Sequence, residues 1–205
     1  MKILLAERLF DGEHWHHNMK VTLEGRRILS VEKLKSLDHE SGRRITLLAP
    51  GFIDVHVNGG GGALFNHEPT LDALQTMLRV HAQYGTVAMM PTLISDDYSI
   101  MAAAHETVCQ ALQTGMSGIL GLHYEGPYLN PMRKGVHNED KLRRPDADKL
   151  NRLLSLPPSG KLMVTLAPEQ VPADFIDHLV TKDVIVCVGH SAATFNQAMT
   201  AVAQG

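Results

Sequence analysis

Two residues of types that bind metal ions come directly after apolar stretches of the chain, and a third lies within one. These residues are Glu125, His190 and His56. A carboxylate in an apolar setting is unfavourable unless it is paired, and a divalent cation is one strong partner for it. Because a carboxylate with neutral imidazoles suits Zn²⁺ or Fe²⁺, these residue types predict a metal site.

The same residues also have plainer interpretations. Glu125 could cap the turn that follows it, and His190 could be a hydrogen-bonded core histidine. His56 could fill the mouth of the fold, and Asn58 could either orient a ligand or cap the glycine-rich turn after it. The metal site is favoured because the ends of successive parallel strands gather at one face of a barrel.

A second polar cluster lies in the segment after Glu125, where Lys134, His137 and Asn138 follow each other closely. A neutral imidazole at His137 can donate a hydrogen bond to a sugar hydroxyl or a carbonyl. A solvated loop histidine is the alternative. The histidine-rich residues 14–17 are predicted to lie at a hairpin tip and are interpreted as a surface turn.

From Pro50 onward, apolar strands alternate with helical stretches. The predicted strands are 52–57, 86–90, 119–123, 162–166 and 184–188, and the predicted helices are 71–84, 95–113, 146–156, 173–181 and 193–203. Thr70 is a predicted N-cap, and Pro91 is expected to end the second strand. The alternation predicts a parallel sheet, either doubly wound or part of a (β/α)₈ barrel. Polar residues at the ends of several strands favour the barrel.

The residues before Pro50 have a different pattern. Short predicted strands lie at 3–8, 20–24, 28–33 and 45–49, with glycine-containing turns between the earlier ones. Such strands and turns are typical of a small β module. We therefore expect two domains, a β module at 1–49 and an α/β domain at 50–205.

Composition disfavours several classes of protein. The chain has 19 Lys and Arg against 22 Asp and Glu, a net charge of −3, which disfavours nucleic acid as a partner. It has no apolar run long enough for a membrane span, and charges interrupt the N-terminal apolar run, so neither a membrane anchor nor a signal peptide is predicted. The two cysteines are interpreted as reduced thiols, and a cytoplasmic location is expected.

With these residues assembled, the chain resembles the N-acetylglucosamine-6-phosphate deacetylases of the amidohydrolase superfamily. The resemblance lies in the segments 50–60, 91–94, 122–130, 134–138, 166–169 and 189–191. Its most specific part is the Glu-Gly-Pro sequence at 125–127 together with Lys-Gly-Val-His at 134–137. The Gly-His-Ser sequence at 189–191 would be a weak signal alone.

The resemblance implies an α/β fold with a (β/α)₈ TIM-type barrel, of which about five of eight units are present, and a small N-terminal β-sandwich module. It implies hydrolysis of the N-acetyl group of N-acetylglucosamine 6-phosphate to glucosamine 6-phosphate and acetate, a step of amino-sugar catabolism. It also implies a divalent metal, Zn or Fe, held by Glu125, His190 and one further histidine. One metal per subunit is favoured over two, with His56 as a partial ligand for a second ion.

The resemblance further implies that His137, Val136 and Asn58 contact the phosphorylated amino-sugar substrate, and that the full-length protein is a homodimer. Family members that bind two metals carry His-x-His on the first barrel strand. Here that segment reads His56-Val57-Asn58, which is half of the pattern and favours one metal.

Family members continue with three further strand–helix units after the part that resembles this chain. Those units are expected to hold the third metal-binding histidine and the catalytic aspartate. No catalytic residue is therefore assigned within this chain, the expected Asp lying beyond Gly205, and the chain is expected to be an incomplete enzyme. The alternatives are a non-catalytic truncated module that binds a sugar phosphate or a metal, and a deacetylase of N-acetylgalactosamine 6-phosphate.

Overall fold

The computed structural model describes residues 1–36, 41–146 and 153–205. The chain forms two compact units, Met1–Gly51 and Phe52–Gly205. Among the described residues, no helix combines the length and the apolar character that crossing a membrane requires.

The N-terminal unit contains one four-stranded sheet in the order β3-β2-β1-β4. Its strands are β1 (Lys2–Phe10), β2 (Trp15–Glu24), β3 (Arg27–Lys33) and β4 (Arg43–Leu48). β2 pairs antiparallel with β1 and β3, and β4 runs parallel to β1. Ala6, Leu9, Met19 and Val21 form its buried apolar cluster. A β-sandwich needs two sheets. The described residues of this unit form a single sheet, so the β-sandwich stays a prediction.

The predicted hairpin tip at residues 14–17 is wrong for its last three residues, which lie in β2. The turn is formed by residues 11–14, because the Asp11 carboxylate accepts hydrogen bonds from the backbone N–H groups of Glu13 and His14 at 2.9 and 2.8 Å. Asp11 also contacts the His16 ring at 2.6 Å. A short polar side chain that bonds its own backbone in this way tightens a turn.

The second unit is built on a five-stranded sheet in the order β11-β10-β9-β8-β5, in which all neighbouring strands are parallel. Its elements in chain order are β5 (Phe52–Val57), β6 (Gly59–Gly60), β7 (Ala63–Leu64), α1 (Leu71–Ala82), β8 (Thr86–Ile94), α2 (Tyr98–Gln113), β9 (Gly121–Glu125), β10 (Lys161–Leu166), α3 (Phe175–Thr181), β11 (Val184–Val188) and α4 (Phe195–Gln204). Adjacent strands in the sheet follow one another along the chain. This α/β architecture matches the predicted fold class.

The helices of this unit pack their apolar faces on the sheet. Leu74 and Met77 of α1, Val108 of α2 and Leu122 of β9 are fully buried in one cluster. Burial of each such side chain stabilises the fold by about 1.5–3 kcal/mol. The predicted N-cap is present, since the Thr70 hydroxyl accepts a hydrogen bond from the Ala73 N–H at 3.2 Å.

The prediction that β8 ends at Pro91 is wrong, because the strand continues to Ile94. Pro91 lies opposite Val57, where the register between β5 and β8 shifts. There the Val57 N–H donates to the Thr92 hydroxyl at 2.9 Å instead of to a backbone carbonyl. A proline is tolerated inside a strand at such an irregularity because ladder pairing is already interrupted.

Two other predictions concern the third strand of the α/β unit and the helix expected after it. The third strand of the α/β unit was expected at 119–123 but occupies Gly121–Glu125, so Glu125 ends the strand instead of following it by two residues. Ile119 makes only an isolated bridge with Met89. Most of the helix predicted at 146–156 lies outside the described residues.

Candidate metal centre

Parallel strands bring three candidate ligands to the same edge of the sheet. Glu125 ends β9, His56 lies near the end of β5, and His190 follows β11 by two residues. One Glu125 oxygen, Oε2, lies 3.0 Å from His56 Nε2, and the other, Oε1, lies 2.9 Å from His190 Nε2. His137 Nε2 lies 3.7 Å from Oε1. The carboxylate is thus surrounded by three imidazoles.

The environment of Glu125 keeps its carboxyl group ionised although the side chain is about 10% exposed. Burial alone raises its pKa, because a charge is poorly solvated inside a protein. Interactions with His137 and His190, and the charge of His56, outweigh this effect and lower the pKa from 4.5 to about 2. The group is therefore an anionic oxygen donor at neutral pH.

His190 is held with its Nε2 directed at Glu125. Its Nδ1 lies 3.0 Å from the Arg133 carbonyl oxygen. A carbonyl can only accept a hydrogen bond, so Nδ1 carries the proton and, in the neutral ring, Nε2 carries the lone pair. Metal-binding histidines are commonly oriented by such a bond from their other ring nitrogen.

The pair formed by Glu125 and His190 fits a divalent cation. A lone pair on Nε2 and an ionised oxygen 2.9 Å away repel each other unless a proton or a metal ion lies between them. One carboxylate and one or more imidazoles are ligands that Zn²⁺ prefers. Glu125, His137 and His190 each offer a donor atom, and these atoms all lie within 4.8 Å of one another.

His137 has the opposite hydrogen-bonding arrangement. The Ser95 backbone N–H donates to His137 Nδ1 at 3.3 Å, and the Ser95 hydroxyl lies 2.9 Å from the same nitrogen. Because a backbone N–H can only donate, Nδ1 is the acceptor and the neutral ring carries its proton on Nε2. That Nε2 is buried and has no hydrogen-bond partner among the described residues. This arrangement favours a hydrogen-bond donor over a metal ligand.

His56 is the most open member of the cluster, with its side chain 48% exposed. Its backbone N–H donates to the Asp54 carboxylate at 3.1 Å, and its ring meets the His123 ring edge-on with 4.9 Å between centroids. Asn58 donates to the Thr92 carbonyl at 3.4 Å. Val136 is 89% exposed, so a ligand can reach its side chain.

Three polar residues next to the cluster, His123, Thr92 and Thr165, were not singled out from the sequence. His123 on β9 is almost fully buried, with Nδ1 at 3.1 Å from the Thr92 hydroxyl and Nε2 at 2.8 Å from the Thr165 hydroxyl. Burial is the main cause that lowers the His123 pKa to about 4. A signal was present in the sequence, since His123 and Glu125 are two residues apart and side chains alternate along a strand.

Comparison with known proteins identifies the family to which the chain belongs. The model of the amidohydrolase family matches residues 47–198. An N-acetylgalactosamine-6-phosphate deacetylase of Shewanella sp. (strain ANA-3) is 42% identical over 159 residues, which are 77% of this chain and 40% of the relative. The N-acetylglucosamine-6-phosphate deacetylase of Homo sapiens is 34% identical over 218 residues, which cover 100% of this chain and 51% of the relative.

A solved structure has a similar fold. The crystal structure of N-acetyl-D-glucosamine-6-phosphate deacetylase from Mycobacterium smegmatis aligns with a TM-score of 0.90 and 26% identity, over 100% of this chain and 58% of that one. The chain spans about half the length of the curated relatives it matches. Since the family model matches well over half of the chain, the chain belongs to the amidohydrolase family.

Proposed function

We propose that this chain contributes a metal centre to an enzyme that hydrolyses the N-acetyl group of N-acetylglucosamine 6-phosphate, giving glucosamine 6-phosphate and acetate. The observation that carries the proposal is the ionised Glu125 carboxylate, which lies 2.9 Å from His190 Nε2 while the Nδ1 of the same ring faces the Arg133 carbonyl oxygen. The names of the most similar relatives support the substrate class.

Glu125 and His190 would hold the metal ion, and His56 would be a partial ligand for a second one. A bound divalent ion, Zn or Fe, would lower the pKa of water and would polarise the acetyl carbonyl. One ion per subunit is proposed. The Arg133 carbonyl keeps His190 in the tautomer that ligation needs.

His137 is proposed to contact the substrate, with Asn58 and Val136. Its buried Nε2–H has no partner among the described residues and points toward the Glu125 carboxylate. A preorganised donor in a site with little water stabilises negative charge that develops on a carbonyl oxygen. Ser95 bonds Nδ1 of the ring and so keeps the proton on Nε2, where it would be available to a substrate bound beside Glu125.

The proton acceptor and the third metal-binding histidine are not assigned to this chain. We expect both in further barrel units, as the resemblance implies, so the proposed activity is that of a whole protein that contains them. In that protein we propose a (β/α)₈ barrel flanked by a β-sandwich, with residues 1–49 in the sandwich and residues 50–205 in the barrel. We also propose a cytoplasmic homodimer that binds neither nucleic acid nor membranes.

The galactosamine epimer is a second candidate substrate. The relative with 42% identity is named an N-acetylgalactosamine-6-phosphate deacetylase. The two sugars differ in the orientation of one hydroxyl group, so the same metal centre would serve either of them.

Acetate release from both N-acetylhexosamine 6-phosphates tests the proposal, with the 205-residue chain and with a version extended by the further barrel units, each loaded with Zn²⁺. We expect release by the extended protein and its loss in Glu125→Gln, while Glu106→Gln on the exposed face of α2 retains it. The ratio of the two kcat/KM values decides the epimer. No release by a folded, zinc-loaded extended protein would favour the non-catalytic binding module instead.

A further inference from the structure

We infer that Glu169 is a positioning residue that holds His190 in its metal-binding orientation. Glu169 lies in a short 3₁₀ turn, Pro168–Gln170, just after β10. It is not a member of the cluster around Glu125. This inference rests on the proposed function, because it concerns how one proposed ligand is oriented.

The Glu169 carboxylate joins two loops that follow other strands. Its Oε1 accepts from Asn130 Nδ2 at 2.9 Å and from the Ala192 N–H at 2.6 Å. Its Oε2 accepts from the Ser191 hydroxyl at 2.6 Å. Asn130 belongs to the loop after β9, whereas Ser191 and Ala192 directly follow His190.

The backbone at His190 needs such support. His190 has φ of 50°, in the left-handed region, which is unfavourable for a residue with a Cβ. Its carbonyl accepts a hydrogen bond from the Asn130 N–H at 3.0 Å. Asn130 thus contacts both His190, through its backbone, and Glu169, through its side chain. The carboxylate therefore holds the two residues that follow the strained His190 and the Asn130 side chain of the neighbouring loop.

The same contacts argue against a direct chemical role for Glu169. A carboxylate has about four acceptor positions, and Glu169 uses three of them for these bonds. All three donors are neutral groups whose geometry the two loops determine. Glu169 therefore holds the His190 loop in place. Outer groups, which contact a metal ligand but not the metal, commonly orient metal-binding histidines in this way.

Zinc affinity of the full 205-residue chain, measured by competition with a chromogenic chelator, tests the inference in Glu169→Ala and Glu169→Gln. We expect Glu169→Ala to bind Zn²⁺ about 10–100-fold more weakly, as is typical when outer groups are removed. Glu169→Gln should lose less, because its amide oxygen can still accept from Asn130 and Ala192 but its NH₂ group cannot accept from Ser191. Glu106→Ala on α2 is the matched control and should bind as the parent chain does.

A second measurement separates positioning from a general loss of structure. In the zinc-free chain at pH 8, the ¹⁵N resonances of the His190 ring should show a fully protonated Nδ1 in the parent chain and an averaged, partly protonated Nδ1 in Glu169→Ala. The same samples should show unchanged resonances for His123, which lies on β9.

Each result leads to a decision. Parent-like zinc affinity in both variants, or an equal loss in Glu106→Ala, would overturn the inference. If Glu169→Ala does not fold, the isosteric Glu169→Gln decides. Parent-like zinc affinity in Glu169→Gln, together with a fully protonated His190 Nδ1, also overturns the inference. If the parent chain and Glu106→Ala bind no zinc, the same comparison is made in the version extended by the further barrel units, and no zinc binding there means that the proposed metal centre itself fails, which is a different outcome.

Discussion

At the scale of single residues, hydrogen bonds to Nδ1 distinguish the histidines around Glu125. The Nδ1 of His190 meets a carbonyl oxygen, and the Nδ1 of His137 meets a backbone N–H. In its neutral form, the first histidine therefore has its lone pair on Nε2, toward the carboxylate, and the second has its proton there. Two rings with the same chemistry are thus prepared for different tasks by one backbone contact each.

Glu125→Gln tests the proposed charged ligand. The change keeps the shape of the side chain but removes the negative charge, so zinc affinity should fall by more than the ~10–100-fold loss that is typical of outer-group changes. Chelator competition at pH 7.5 measures it, with Glu106→Gln as the control. Parent-like zinc affinity in Glu125→Gln would show that the metal is not held here.

His137→Ala tests the proposed substrate contact. In an active protein that contains this chain, zinc content should stay as in the parent, while kcat/KM for the sugar phosphate should fall about 10²–10³-fold, as is typical when a preorganised donor is lost. Metal analysis and steady-state kinetics on the same sample give both values. Loss of zinc would instead make His137 a ligand, and unchanged kcat/KM would make it a loop residue without a role in catalysis.

At the scale of elements, the sheet depends on close approach between neighbouring strands. Gly121 begins β9, where an added Cβ would lie 1.7 Å from the backbone carbonyl oxygen of Lys161 on β10. Gly115, which follows α2, has φ of 69°, and a Cβ added there would meet no atom within 4 Å among the described residues. One glycine is needed for contact between strands, and the other only for its turn conformation.

Gly121→Ala should therefore destabilise the chain more than Gly115→Ala. The backbone clash at position 121 forces β9 and β10 apart, so the free energy of unfolding should fall by more than ~4 kcal/mol. At position 115 the left-handed conformation alone should cost about 1–2 kcal/mol. Urea denaturation of both variants measures the difference, and equal losses would contradict the predicted close approach.

At the scale of the whole molecule, a largely buried hydrogen-bond network crosses the α/β sheet. The Thr92 hydroxyl of β8, the His123 ring of β9 and the Thr165 hydroxyl of β10 form it, and the Val57 N–H of β5 donates to Thr92. This network thus joins four neighbouring strands of the sheet, β5, β8, β9 and β10, close to Glu125. Because a buried network is favourable only when its members are satisfied, its protonation state affects overall stability.

Stability of the zinc-free chain should fall between pH 7 and pH 5 because of His123. Its folded pKa of about 4 lies below the unfolded value of 6.5, so the unfolded state binds more protons in this range. Stability is complete above pH 6.5 and is lost as the pH falls toward 4, by about 2 kcal/mol at pH 5. Urea denaturation at both pH values measures it. His123→Gln should remove this part of the pH dependence, and the control His67→Gln, at an exposed position, should retain it. An equal change in the free energy of unfolding between pH 7 and pH 5 in both variants would contradict the assignment to His123.

Local signals along the sequence are enough to predict the order of the elements and the residue types of the candidate site. Periodic apolar residues and turn residues are local signals, and they predicted β5 and β11 with their observed bounds and the Thr70 cap. The prediction also gathered Glu125, His190 and His56 at one edge, since parallel strands end on the same side of a sheet. Pro91 was misread because local proline chemistry cannot reveal the irregular pairing of β8 with β5.

The different hydrogen bonding of the histidines in the site follows from three-dimensional packing and not from local sequence. The Nδ1 partners of His137 and His190 lie 42 and 57 residues away along the chain, and Glu169 reaches Asn130 across 39 residues. Such contacts follow from how strands and loops pack, and no local pattern encodes them. Residue types and spacing therefore predict that a metal site exists, whereas three-dimensional packing sets the tautomers and the orientation of its ligands.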